Sequence, residues 1–301
     1  MHPLLSLATL ASTMSMSSRN ILVTGGNAGI GLALCRQLAV DHGDECDKVY
    51  MCARNKERGD AGLQSILNVH PNVGHRIEVL IMDVTDDESV NAAAKQLQST
   101  GVSLYAIVNN AGVGLRTSND GSIDTLLQTN FYGPKRVTDA FLPLLNPQIG
   151  RIVNVSSGAA SMWLRNESPA RQQIFTSSTT TWDELDHAVK LSCSANARGA
   201  YGISKAGLTA YTIQCAAMYP NLLITSLSPG FIDTKMTSGY GAKLSPEQGT
   251  VSLMKCLFGN DVVSGHYYGS DGLRSPLTVA RDPGTSEYMG EVNPDPRKYN
   301  L

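Results

Sequence analysis

The sequence predicts an α/β protein with a Rossmann-type, doubly wound parallel sheet in a single domain. From Asn20 onward, short β-branched segments alternate with longer amphipathic segments, which is typical of βαβ units. A glycine-rich turn joins the first predicted strand directly to the first predicted helix. Later strands end in polar segments, at the edge where open α/β sheets bind ligands. A chain of 301 residues is long enough for one such sheet with appendages.

Six segments are predicted as strands, because each is short, apolar and closed by polar or glycine residues. They are residues 21–24, 48–52, 78–82, 106–109, 150–155 and 222–227. Apolar residues near helical spacing predict a helix over residues 30–40, and acidic residues suited to a helix N-terminus predict another over 86–98. We therefore assign residues 20–270 to one Rossmann-fold domain.

Two segments depart from this alternation. A long interval precedes Tyr201, and in it a threonine-rich tract leads to Glu184, which predicts a helix start capped by a Thr side chain. We expect a helical insertion at about residues 160–198 rather than a separate domain. The tail, residues 271–301, contains several prolines and glycines, and we expect it to run extended over the surface.

Composition excludes several classes of protein. Apolar residues make up 42% of the chain and charged residues 17%, so the chain can bury a core and is not a disordered protein. The net charge of −2, without a dense basic run, argues against a nucleic-acid partner. No stretch approaches the ~20 apolar residues of a membrane span. Neither the cysteines nor the histidines show metal-ligand spacing, so we expect reduced core thiols and no metal site.

The first nineteen residues are rich in Ser, Thr, Ala and Leu and contain no acidic residue. Two interpretations stay open for this segment. It is a disordered leader, or it is a weak organelle-targeting segment, although such peptides are normally rich in Arg and this one has only Arg19. We expect a cytoplasmic protein, with organelle targeting as the alternative.

The segment TGGNAGIG places Gly25, Gly29 and Gly31 between a strand and a helix. Glycines there let the backbone approach a pyrophosphate, which the free amides and the helix dipole then bind. The alternative is a tight turn whose glycines serve packing only. Arg54 closes the second strand, which contains no carboxylate, and a guanidinium at that place fits a ribose 2′-phosphate. This favours NADPH over NADH, unless Arg54 belongs to a solvated basic turn.

Three further motifs follow in order: NNAG at residues 109–112, NVSS ending at Ser157, and YGISK at residues 201–205. Tyr201 and Lys205 are one helical turn apart and share a helix face. A phenol with a pKa near ~10 is a poor acid-base catalyst at neutral pH unless a positive charge stabilises its anion. Tyr201 would then protonate a carbonyl oxygen that also accepts a hydrogen bond from Ser157, while the nicotinamide gives hydride to the carbon. A Tyr-x-x-x-Lys pair alone is usually a surface pair, so the order of the motifs carries this prediction.

Together with SPGFIDT, these motifs resemble the short-chain dehydrogenase/reductase family over about residues 20–270. The resemblance implies a catalytic tetrad of Asn130, Ser157, Tyr201 and Lys205, in which Asn130 holds a water that relays protons toward Lys205. Without the resemblance, Asn130 would be interpreted as a helix-bending or hydrogen-bonding residue. The residues that we expect at the cofactor are Gly25, Asn27, Gly29, Ile30, Gly31, Arg54, Asp83, Val84, Asn110, Ala111, Gly112, Tyr201, Lys205, Pro229, Gly230, Ile232 and Thr234.

Within that family, the long interval before Tyr201 is similar to the insertion of monomeric carbonyl reductases. Those proteins share the TGGN-x-GIG turn, the TNF-x-G segment and an Arg at the end of the second strand. Their insertion covers the face that other members use to dimerise, so the resemblance implies a monomer. One position differs, because they carry a Lys in the glycine turn where this chain has Ala28. NADPH preference must therefore depend on Arg54 and its neighbours.

The function that we expect is NADPH-dependent reduction of a ketone, aldehyde or quinone to the alcohol. Two alternatives remain: an alcohol or retinoid-type dehydrogenase that works oxidatively, and a regulator that binds the cofactor without turnover. The substrate is not determined by the sequence, because the apolar residues Phe231, Met236 and Tyr240 could line many pockets.

Overall fold

The computed structural model describes residues 19–114 and 121–300, so the predicted leader lies outside the described residues except for Arg19. In these residues seven strands form one sheet in the order β3-β2-β1-β4-β5-β6-β7, and all neighbours pair in parallel. The strands are β1 (Asn20–Val23), β2 (Lys48–Ala53), β3 (Ile77–Ile81), β4 (Leu104–Asn109), β5 (Arg151–Val155), β6 (Leu223–Leu227) and β7 (Tyr267–Tyr268). The predicted doubly wound sheet is confirmed.

Helices cover both faces of this sheet. They are α1 (Gly29–Val40), α2 (Lys56–Leu67), α3 (Asp87–Ser99), α4 (Ile123–Leu127), α5 (Gly133–Phe141), α6 (Gly158–Leu164), α7 (Pro169–Thr176), α8 (Trp182–Ala195), α9 (Ala200–Met218) and α10 (Val251–Phe258). All six predicted strands are present, with ends within two residues of the prediction. The edge strand β7 was not predicted, because two residues are too few to show a periodicity.

The core consists of one apolar cluster on each face of the sheet. One cluster joins the sheet to α3, α5 and α9, and the other joins it to α1 and α10. All residues of β1 and β4 are buried, since a central parallel strand is covered on both faces. All six cysteines are buried free thiols, as the sequence predicts. No helix within residues 19–114 or 121–300 combines the length and apolar character needed to cross a membrane.

Two helices, α7 and α8, lie between α6 and α9, where the sequence predicted one. The predicted threonine cap is confirmed at Thr181. Its hydroxyl accepts a hydrogen bond from the Glu184 amide at 3.3 Å, and the Glu184 carboxylate accepts one from the Thr181 amide at 2.8 Å. This reciprocal capping box fixes the start of α8, which packs along α9.

Residues 271–300 run largely without helix or strand, and buried side chains attach them to the domain. The Ser275 amide donates a hydrogen bond to the Tyr267 carbonyl of β7 at 2.8 Å. The Arg281 guanidinium, 1% exposed, forms two 2.8 Å hydrogen bonds with Asp271. Tyr299, near the end of the chain, is fully buried. The tail is therefore a packed part of the fold.

Replacing Asp271 with Asn should lower the free energy of unfolding at pH 7 by about 3 kcal/mol, because the buried Arg281 charge loses its partner. Burial raises the pKa of Asp271, but hydrogen bonds from Arg281 and the Gly284 and Leu273 amides outweigh it, so the pKa lies below its ordinary value. A carboxyl group whose pKa is lower in the folded than in the unfolded protein stabilises the folded state at pH values above its unfolded pKa of about 3.9. This contribution is lost as the pH falls through the pKa of the folded state. Urea unfolding should show the difference from wild type shrinking below about pH 4.

The matched control is Asp295→Asn, which breaks the exposed Arg297 pair in the same tail. This change should lower the free energy of unfolding much less than Asp271→Asn does, because a solvent-exposed ion pair contributes little. An equal loss of stability in the two variants would contradict the conclusion that the buried Asp271–Arg281 ion pair holds the tail to the domain.

Candidate active site

The glycine turn between β1 and α1 exposes backbone amides. Gly25 and Gly29 have φ values of +62° and +54°, a left-handed conformation that favours glycine. No side chain caps the first turn of α1, because the preceding residue is Ala28. At Gly31, a β-carbon would collide with the Gly25 carbonyl and the Asn110 side chain. The turn therefore offers free amides at the positive end of a helix dipole, an arrangement that binds anions.

Thr24 and Asn110 hold this turn against the segment after β4. The Thr24 hydroxyl accepts hydrogen bonds from the amides of Asn110 at 3.0 Å and Ala111 at 2.9 Å. The Asn110 side chain donates to the carbonyls of Thr24 at 2.9 Å and Gly25 at 3.2 Å. The predicted cofactor residue Asn110 therefore supports the turn through its side chain. Sequence reasoning missed Thr24, although a hydroxyl directly after a buried strand was a usable signal.

Arg54 lies directly after β2 with its side chain exposed. Nearby Lys56 is paired with Asp60, whereas Arg54 forms no ion pair within residues 19–114 and 121–300. The following helix, α2, touches the glycine turn, since a β-carbon on Gly62 would lie 2.9 Å from Asn27 Cα. An available positive charge and the glycine turn therefore lie at the same edge of the sheet.

Asp83 and Val84 follow β3 at this edge. The Asp83 carboxylate accepts hydrogen bonds from the Thr85 amide at 2.9 Å and from its hydroxyl at 2.8 Å. Val84 is buried against Gly133, at the start of α5. Both residues thus lie in a rigid turn beside the end of β2.

Tyr201 and Lys205 share one face of α9. The Lys205 ammonium is buried and donates a 2.8 Å hydrogen bond to the Val155 carbonyl at the end of β5. Burial lowers the pKa of Lys205 to about 8, so the charged form predominates at neutral pH. Burial also raises the pKa of Tyr201, and a hydrogen bond with Ser157 partly opposes that rise. At neutral pH the phenol therefore keeps its proton and can act as a donor.

Asn130 lies in a π-helical turn, Gln128–Tyr132, between α4 and α5. Its side chain accepts a hydrogen bond from the Val113 amide and donates one to the Val113 carbonyl, both at 2.9 Å, and donates a third to the Ser204 hydroxyl at 3.3 Å. A β-carbon on Gly112 would lie 3.4 Å from Asn130 Oδ1 and 3.5 Å from Lys205 Nζ. The π-helical turn, the NNAG segment and α9 therefore meet at one point.

Ser157 caps α6, because its hydroxyl accepts a hydrogen bond from the Ala159 amide at 3.2 Å. The loop that follows β6 contains the predicted residues Pro229, Gly230, Ile232 and Thr234. It reaches the glycine turn, where a β-carbon on Gly29 would lie 3.4 Å from Thr234 Cγ2. It also reaches α6, since the Ser228 hydroxyl accepts a 3.1 Å hydrogen bond from the Gly158 amide. Sequence reasoning missed Ser228, the first residue after β6.

Most of the predicted site residues lie in segments that follow strand ends or in the first turn of α1. The exceptions are Asn130, which lies in the π-helical turn, and Tyr201 and Lys205, which lie in α9. These two elements bring the three residues to the cleft at the ends of the strands. The cleft combines an anion-binding turn, a proton-bearing phenol, a buried ammonium and a serine hydroxyl. Such a set can bind a dinucleotide and transfer a proton beside it. The fold and the site therefore define a Rossmann-fold oxidoreductase.

Comparison with known proteins identifies the family. The model described as short chain dehydrogenase matches residues 19–169. The human protein carbonyl reductase (NADPH) 1 is 33% identical over 257 residues, which cover 78% of this chain and 89% of that protein. The (+)-neomenthol dehydrogenase of Capsicum annuum is 28% identical over 305 residues, which cover 84% and 96%. The chain belongs to the short-chain dehydrogenase family and resembles its carbonyl reductases, as predicted.

Solved structures show the same fold. Salutaridine reductase from Papaver somniferum superposes with a TM-score of 0.71 at 24% identity, over 83% of this chain and 99% of that chain. The NADPH-bound carbonyl reductase from chicken fatty liver superposes with a TM-score of 0.62 at 24% identity, over 85% and 97%. At 24% identity, these two matches show that the fold is shared.

Replacing Gly31 with Ala should destabilise the protein by about 1–3 kcal/mol, because the added methyl group meets the Gly25 carbonyl, a backbone atom that cannot rotate away. Urea unfolding measures the change. Gly74→Ala is the control, since a β-carbon there meets only the Leu67 methyl groups, at 3.4 and 3.7 Å. A Gly31→Ala variant as stable as Gly74→Ala would show that the turn has room for a side chain.

Proposed function

We propose that this protein reduces a ketone, aldehyde or quinone to the alcohol with NADPH. The observation that carries the proposal is the buried Lys205 ammonium on the same face of α9 as the Tyr201 phenol, which is hydrogen-bonded with Ser157. Burying an uncompensated ammonium is unfavourable, and such groups are concentrated at catalytic sites. We assign this chemistry to residues 20–270.

NADPH would be held by the glycine turn and by Arg54. The amides at Gly29 to Gly31 suit the pyrophosphate, and the exposed guanidinium suits the 2′-phosphate. A bound nicotinamide supplies the hydride for the carbonyl carbon. The human relative is named an NADPH carbonyl reductase, which supports this proposal.

Tyr201 would give its proton to the oxygen of the reacting carbonyl. Ser157 donates a hydrogen bond to the same oxygen, so negative charge that develops there meets two donors. Lys205 lowers the cost of leaving Tyr201 as an anion, because a positive charge in a buried site interacts strongly with a nearby phenolate. Asn130 would hold the water that returns a proton toward Lys205. Its side-chain atoms are engaged with Val113 and Ser204, so its backbone carbonyl is the group left for that water.

The loop after Gly230 presents apolar side chains beside this site. Phe231 is 51% exposed and Tyr240 is 53% exposed, which favours a hydrophobic carbonyl compound over a charged one. The oxidative direction is the second candidate, because the Capsicum annuum relative is named a dehydrogenase. A regulator without turnover would not need a Tyr, a Lys, a Ser and an Asn at all four positions of the proposed tetrad, and this argues against it.

We also propose a monomer in the cytoplasm. Helix α8 lies against the π-helical turn and α5, where Tyr132 donates a 2.5 Å hydrogen bond to Asp186 and Trp182 stacks on Phe131. The insertion therefore covers the face of α4 and α5 that would otherwise be open to a second subunit.

Tyr201→Phe should lower kcat at least about 100-fold, since a positioned general acid contributes about 10²–10⁴. The rate is measured as loss of NADPH absorbance with menadione and with 4-nitrobenzaldehyde. NADPH affinity, measured by fluorescence titration, should be unchanged. A Tyr201→Phe protein with wild-type turnover would exclude Tyr201 as the proton donor.

Arg54→Asp should weaken NADPH binding at least about tenfold, because a charge-assisted hydrogen bond is replaced by repulsion between two anions. NADH binding should be unchanged or stronger, and both affinities are measured by fluorescence titration. Lys95→Asp is the control, with the same charge change at an exposed site of α3 outside the expected cofactor residues. Equal losses in the two variants would assign the effect to the general field rather than to a contact at Arg54.

A further inference from the structure

The segment that carries Asn130 is intrinsically weak. Helix α4 has only five residues, and an isolated helix of that length is unstable in water. The π-helical turn that follows, Gln128–Tyr132, has a geometry that is rare in proteins. Tertiary contacts must therefore hold Asn130 in its position against Val113.

Phe131, the neighbour of Asn130, makes extensive contacts with the helices around it. It is fully buried, and its ring stacks on the Trp182 indole with centroids 4.9 Å apart and planes 19° apart. Helix α9 makes room for it at Gly207, where a β-carbon would lie 3.0 Å from the Phe131 ring and 2.9 Å from Val189. Phe131 is thus enclosed between α8 and α9.

Trp182 is itself fixed from several sides. It is the first residue of α8, directly after the Thr181 capping box, and Gln214 of α9 donates a 3.3 Å hydrogen bond to the Thr181 carbonyl. The Tyr211 ring meets the indole edge-on at 5.6 Å, and the Lys135 ammonium lies 5.1 Å from the indole centroid. The indole is therefore part of a rigid cluster.

The remainder of α8 gives less support to the π-helical turn. A cavity of about 660 Å³ is lined by Leu127, Gln128 and Tyr132 on one side and by Lys190, Cys193 and Ser194 of α8 on the other. None of Asn130, Ser157, Tyr201 and Lys205 lines this cavity. Beside this cavity, the insertion contacts the turn through the Trp182 ring on Phe131 and through the Asp186 carboxylate, which accepts the hydrogen bond from Tyr132. Trp182 is the contact that reaches the immediate neighbour of Asn130.

We propose that Trp182 is a positioning residue that holds Phe131, and through it Asn130, in the geometry needed for proton relay. The inference rests on the proposed function for its catalytic consequence, but its structural part concerns the protein without substrate. Two hydrogen bonds join Asn130 to Val113, and Gly112 lies beside Lys205, so a displaced π-helical turn would disturb the proton path directly. The insertion then positions a residue of the site in addition to covering α4 and α5.

The test compares Trp182→Leu, Trp182→Phe and a matched control, Phe175→Leu. Phe175 is a buried aromatic residue of the same insertion, but it packs edge-on against Trp163 rather than against the π-helical turn. Hydrogen exchange of the Val113 amide and of residues 128–132 is measured in the full chain without ligand. Turnover of menadione with NADPH is measured in parallel across pH.

Trp182→Leu should speed exchange at Val113 and residues 128–132 and lower kcat about three- to tenfold, with the KM for NADPH unchanged. The pH profile of kcat should also shift, because the proton path is altered. Trp182→Phe, which keeps a ring against Phe131, should recover most of both properties. Phe175→Leu should leave exchange at these positions at the wild-type rate.

Unchanged exchange in Trp182→Leu, or an equal rise in Phe175→Leu, would overturn the proposal. A wild-type protein that turns over no carbonyl compound would remove the proposed function and the catalytic part of this inference. The exchange rates would still decide whether Trp182 holds the turn, so the two failures are distinguishable.

Discussion

The burial of one ammonium group is the constraint on which the rest of the site depends. Lys205 lies in α9, and its hydrogen bond to the Val155 carbonyl ties that helix to the end of β5. A buried charge is tolerated only where polar groups surround it. Ser156, directly after β5, also attaches α9 to the sheet, because its hydroxyl donates a 3.0 Å hydrogen bond to the Lys205 backbone carbonyl. The position of α9, and with it the position of Tyr201, follows from these bonds.

The candidate site also requires that separate backbone segments approach one another closely. The glycine turn comes within van der Waals distance of the segment after β4 at Gly25 and of the loop after β6 at Gly29. A side chain at Gly25 would lie 3.0 Å from Ala111 Cα, and left-handed φ values add a further restriction at Gly25 and Gly29. Glycine at these two positions therefore lets the anion-binding turn lie against the segments that lead to the proton-transfer residues.

The insertion and the tail show how a sheet of this kind is completed within one chain. The aromatic cluster around Trp182 joins α8 to the π-helical turn, and the tail pairs with the edge strand β7 and is fastened by Arg281. Edge strands and unpaired helix faces otherwise invite association with other chains. The insertion also contacts the π-helical turn that carries Asn130, so closure of the fold and support of the site are linked there.

The sequence by itself determined the doubly wound sheet, its six longer strands, the capped start of α8 and the grouping of the motifs at strand ends. These features are local, because periodicity, capping residues and glycine turns act within a few neighbouring residues. Only the tertiary structure decided that β7 exists, that two helices lie between α6 and α9, that Asn130 lies in a π-helical turn and that Asn110 supports the glycine turn. Each of these depends on partners far away in the chain, such as Trp182 against Phe131, and no local pattern specifies which distant surfaces will meet.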